Sequence, residues 1–88
     1  ERRINLVRET KFLRIVVSGG MPDVVPYKQL LKRHHIHLMD EFADVDYRQN
    51  TATLSFVILL RDQCDYREFL DEIAAINNTL SISLSNEQ

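Results

Sequence analysis

The 88 residues suffice for one hydrophobic core and are too few for two. With 44% hydrophobic and 27% charged residues, the composition is that of a folded globular domain and excludes a disordered tail. The net charge of -2 lacks the basic excess of nucleic-acid modules, so no nucleic-acid partner is expected.

Residues 1–11, ERRINLVRETK, hold Arg2, Arg3, Arg8 and Lys11 against Glu1 and Glu9 and read as a basic linker or leading segment. Such a stretch also suits the cytoplasmic flank of a transmembrane helix. The chain starts at Glu1 without an initiator Met, as expected of a segment cut from a longer protein. No apolar stretch of signal-peptide type follows Glu1-Arg2-Arg3. Runs such as Phe56 to Leu60 are too short to span a bilayer.

Phe12 to Ser18 is β-branched and apolar and predicts a first strand, opening a domain over 12–88. Ser18-Gly19-Gly20-Met21-Pro22 is a turn. Asp23 can cap the helix that follows, and Pro26 falls in its first turn, where a missing N–H costs nothing. Val24, Tyr27, Leu30, Leu31 and His34 recur at helical spacing, ending near His35. Residues 37–47 alternate, with Met39, Ala43, Val45 and Tyr47 on one side and Leu38, Asp40, Phe42, Asp44 and Asp46 on the other. After a turn at Arg48-Gln49-Asn50, Thr51 to Arg61 is a third strand, with Leu54, Phe56, Ile58 and Leu60 on one face.

Asp65-Tyr66-Arg67-Glu68 resembles a capping box ahead of a helix carrying Tyr66, Phe69, Leu70, Ile73 and Ile76, with Asn77-Asn78 at its end. Thr79 to Ser85 sets Leu80, Ile82 and Leu84 against Ser81, Ser83 and Ser85, a strand with one wet face. The order is β-α-β-β-α-β. Strands one and three are apolar on both faces, while two and four have a polar face. The expected fold is therefore an α+β, ferredoxin-like sandwich with an antiparallel sheet of order 4-1-3-2 and both helices on one face.

Three groups of residues bear on chemistry. His34, His35 and His37 lie near Asp40 and Glu41, and imidazole suits zinc, copper or nickel. Two adjacent histidines diverge by about 100° on a helix, however, and histidines at a helix C-terminus also serve the dipole. They are weak metal candidates, and no metal is expected. Asp40, Asp44 and Asp46 share a face that would suit magnesium, but charges there also protect an edge strand from mispairing. Ser18, Gly19 and Gly20 precede a helix and could offer N–H groups to a carboxylate or phosphate, including that of an amino acid. Cys64 is the single cysteine, which fits a reducing compartment. It stands beside Asp65, whose charge would raise a thiol pKa, and no nucleophile elbow or paired-acid motif appears. No catalytic residue and no cofactor is expected.

The element order, the turn at Ser18-Gly19-Gly20-Met21-Pro22 and the helix running into a hairpin resemble ACT domains over residues 12–85. In place of that family's Asp-x-Pro-Gly turn, this chain has Gly20-Met21-Pro22-Asp23. The Glu1-Arg2-Arg3-Ile4 start and a chain ending soon after the fourth strand resemble the cytosolic C-terminal domain of MgtC/SapB-type membrane proteins. The resemblance implies a non-catalytic regulatory or interaction domain on the cytosolic side of a membrane protein linked to magnesium homeostasis. The alternative it implies is an amino-acid-sensing ACT domain of a metabolic enzyme or transcription regulator. From the residues, Val16, Val57, Leu59 and Ser83 should lie on the sheet face that the helices leave bare, predicting a homodimer through that face or the fourth-strand edge. Ile4, Leu6 and Val7 are an alternative cover for it.

Overall fold

Apolar residues at every second position from Leu13 to Val17 and from Ala52 to Leu60 direct the chain into strands with one dry face. A computed structural model of the protein describes residues 8–61, 65–76 and 78–86. In chain order it contains β1 (Arg8–Ser18), α1 (Val25–Arg33), β2 (His37–Asp46), β3 (Thr51–Arg61), α2 (Arg67–Ala74) and β4 (Thr79–Ser85). The sheet order is β2-β3-β1-β4, with every neighbouring pair antiparallel. This is the predicted 4-1-3-2 order read from the other edge. β1 and β2 thus run parallel with β3 between them, joined across the sheet by α1; β3 and β4 are joined likewise by α2.

One face of the sheet carries the core. Leu13, Ile15 and Val17 of β1 and Leu54, Phe56 and Ile58 of β3 are buried with Tyr27 and Leu31 of α1 and Phe69 and Ile73 of α2. Both helices therefore cover the same face. Each of these large side chains contributes on the order of 1.5–3 kcal/mol by leaving water.

Neither helix starts with the expected cap. Asp23 precedes the N-cap Val24, and its Oδ1 accepts from the N–H of Val25 at 3.0 Å. Asp65 likewise precedes the N-cap Tyr66, and its Oδ1 accepts from the N–H of Arg67 at 2.9 Å. Each is an Asx turn that serves the first helical N–H, so the capping box is replaced by a bond one residue earlier. The end of α1 lies where predicted. His35 takes φ 58°, its N–H donates to Lys32 O (3.0 Å), and the Ile36 N–H donates to Leu31 O (2.8 Å). That is a Schellman motif, and the buried pair Leu31 and Ile36 gives its apolar contact.

Three strand expectations need correction. β1 begins at Arg8 rather than Phe12, because its ladder with β3 continues from Lys11 opposite Ile58 to Arg8 opposite Arg61. A bulge between Leu38 and Asp40 inserts Met39 without a partner. It turns Leu38 toward the core, while Asp40, Phe42, Asp44 and Asp46 face away from it. A second irregularity, opposite Val16 and Val17, leaves Leu80 unpaired and 59% exposed, and Thr79 takes the partner position opposite Val17. The readings placed on Arg2, Arg3, Ile4, Leu6, Val7, Cys64 and Asn77 lie outside the described residues.

Candidate functional site

The sheet face away from the helices is set by strand parity, and register places its residues in rows. Across the middle runs Ser83–Arg14–Ser55–Phe42, from β4 to β2. On one side lies Ser85–Phe12–Val57–Asp40, and on the other Ser81–Val16–Thr53–Asp44. Leu59 follows, between Thr10 and His37. The four predicted residues Val16, Val57, Leu59 and Ser83 thus share one surface. Phe12, Val16, Val57 and Leu59 are half-buried, and Phe42 is 48% exposed. Sequence reasoning omitted Phe12 and Arg14, although both have the parity of Val16.

Charge on this face is segregated. Arg14 is exposed in the middle and has no ion-pair partner among the described residues. β2 presents Asp40, Asp44 and Asp46. Asp46 has a local task, since its Oδ1 accepts from the N–H groups of Arg48 (3.0 Å) and Gln49 (3.1 Å) and shapes the hairpin. Asp40 Oδ1 accepts from the Glu41 N–H at 2.8 Å. β4 shows only hydroxyls here: Ser81, Ser83 and Ser85.

The three histidines are not brought together. His34 is the C-cap of α1, and its Nε2 lies 2.5 Å from Glu72 Oε1 of α2. Its ring meets Phe69 edge-on, with centroids 5.3 Å apart. His35 is held in the left-handed turn, and His37 pairs opposite Leu59. Among the described residues, no group of three or more His, Cys, Asp or Glu could hold a metal ion. Glu72 also takes Arg33 Nη1 at 3.3 Å, so one carboxylate fastens α2 to the end of α1. Beside this clasp is an open groove of about 520 Å³ between the helices, lined by Pro26, Gln29, Leu30, Arg33, Glu72, Ala75 and Ile76. Glu72 escaped sequence reasoning because only the packing of α1 on α2 brings it to His34, 38 residues away.

At the far end of the sheet, Gly19 and Gly20 take φ 93° and 88°, a region open mainly to glycine. The N–H of Ser18 donates to Asn78 O (2.9 Å) and that of Gly19 to Asn50 O (2.8 Å). Two donors of the predicted anion-binding turn are thus engaged with neighbouring loops, and the first N–H of α1 is engaged with Asp23. No described helix is long and apolar enough to cross a membrane. No protein-family model matches the chain, and no curated protein matches it.

Proposed function

We infer that this domain is a non-catalytic interaction and regulatory module of the ferredoxin-like, ACT-like kind, which works by pairing with a second copy of itself. The observation that carries this reading is the sheet face opposite α1 and α2, where Phe12, Val16, Val57 and Leu59 lie on the two central strands with no helix above them among the described residues. Cross-strand pairing accounts for part of their burial, and apolar groups left partly exposed on a sheet face mark interfaces. The residue chemistry adds weight, because Asp23, Asp46, Asp65, His34 and Glu72 have structural tasks at helix ends, hairpin and clasp.

In this reading the domain is the cytosolic part of an MgtC/SapB-type membrane protein. The membrane-spanning part belongs to another segment of a longer chain, and the link to magnesium homeostasis runs through that parent rather than through an ion site here. The basic residues Arg2, Arg3, Arg8 and Lys11, of the kind that flank membrane helices on the cytosolic side, support this placement.

Light scattering over a concentration series tests the pairing. The expected outcome is a reversible monomer–dimer equilibrium that Val57→Lys abolishes while circular dichroism stays unchanged. A strict monomer at millimolar concentration would refute self-pairing. Fractionation of source cells tests the placement separately: native protein found wholly in the soluble fraction would rule out the membrane parent. A thermal-shift screen of amino acids addresses the sensor alternative, and stabilisation by one of them would turn the reading toward ligand sensing.

A further inference from the structure

Resting on that reading, we propose that the two copies stack sheet to sheet about a two-fold axis parallel to the strands, with Arg14 of each seated between Asp40 and Asp44 of the other. Three symmetric arrangements are available to an open sheet of this kind, and charge separates them.

Packed face to face, aligned sheets sit about 10 Å apart at roughly 30°. If the axis runs across the strands, each strand covers itself. Arg14 then meets Arg14, and the Asp40 and Asp44 carboxylates meet each other, a doubly repulsive contact. If the axis runs along the strands between β1 and β3, each row covers its own reverse. Phe12 then lies over the second copy's Val57, and Val16 over its Thr53. The second copy's Phe42 comes down over Ser83, beside Arg14, with its Asp40 and Asp44 one row to either side over Ser85 and Ser81. Acid meets hydroxyl and guanidinium, Phe12 meets Val57, and the Phe42 ring offers its face to a cation. Arg14, without an ion pair among the described residues, gains two carboxylates.

The third arrangement joins edges. On β2 it sets acid beside acid. On β4 it meets the irregularity at Leu80, which interrupts the pairing row, as bulges at edges commonly do. The face is therefore favoured over the edge.

Four strands at about 4.8 Å and seven residues of overlap at about 3.4 Å each give a contact on the order of 500 Å² per copy. That is the small, reversible class of interface. A micromolar dissociation constant is expected, sharply dependent on salt because a charged triad sits within it.

Sedimentation equilibrium on the full chain and two charge variants tests the geometry. Arg14→Glu alone places an acid between two acids and should weaken pairing by at least about tenfold. Asp40→Lys with Asp44→Lys places Arg14 between two lysines and should do the same. Mixed, the two variants should form a heterodimer, since both contacts are then restored with signs exchanged. Leu80→Lys, on the β4 edge, should change nothing. All these side chains are exposed, so circular dichroism should report an intact fold. If the natural chain pairs and Arg14→Glu pairs equally well, the stacking geometry is wrong while self-pairing stands. If the mixed variants fail to associate, the same conclusion follows. A natural chain that never pairs would overturn both.

Discussion

Tyr27 is the largest fully buried side chain whose polar atom goes unmet. Its hydroxyl has no hydrogen-bond partner among the described residues. Thr79 lies near enough to oppose part of the effect of burial on the phenol, but its own hydroxyl donates to Ile76 O at 2.7 Å. Burial raises the Tyr27 pKa above 10.0. The folded state thus holds the phenol proton at pH values where the unfolded chain releases it, so stability should fall as pH rises above about 10. Tyr27→Phe should remove that part of the alkaline decline and add about 1 kcal/mol at pH 7. Urea titrations at pH 7 and 10.5 would show it, and a loss of stability at pH 7 would mean that the hydroxyl has a partner after all. His35 poses a related question of fit. Its φ of 58° is a glycine conformation, so His35→Gly should raise stability by roughly 0.5 kcal/mol, read in the same titration.

Among the elements, the two helix starts share one solution. Asp23→Ala and Asp65→Ala each lose an Asx bond and a negative charge near a helix N-terminus, and each should cost about 0.5–1 kcal/mol by thermal melt. If both melts stay unchanged, solvent serves these N–H groups equally well. The sequence made the elements themselves legible. Strand order followed from burial, because β1 and β3 carry several apolar residues on both faces, while the open face of β2 is mostly acidic and that of β4 is serine. The end of α1 followed from His34 and His35. The bulges at Met39 and Leu80 were not legible, since one extra residue in a strand leaves no mark on composition and alternation reads straight through it. Misreading that parity placed Leu38 on the wet face and Leu80 on the dry one. The open face was half legible. Val16, Val57 and Leu59 announced it, and Phe12 and Arg14 share the parity of Val16. The clasp at Glu72 and the ties at Asn50 and Asn78 depend on tertiary approach alone.

For the whole molecule, the two faces of β4 should respond to substitution in opposite ways. Ile82 pairs with Ile15 and packs against the core, so Ile82→Lys should cost more than about 3 kcal/mol of a total near 5–15. Ser83→Glu, one residue on and facing away, should leave the melting temperature within about 2 °C, and a large drop there would contradict the assigned parity. The sheet is tied through loop backbone at one end, while at the other the ends of β1 and β4 are joined by Lys11 Nζ donating to Asn86 Oδ1. At the tied end, Ser18 and Gly19 are bonded to the loops at Asn78 and Asn50. At the other end, Arg8 enters β1 and Ser85 leaves β4 on neighbouring antiparallel strands. A pull applied between those two points loads the β1–β4 ladder from that end, bond after bond, like a zipper rather than in shear. The domain should therefore yield at low force, peeling β4 away and baring the central strand. In a single-molecule stretching experiment it would open well before a sheet pulled from opposite ends.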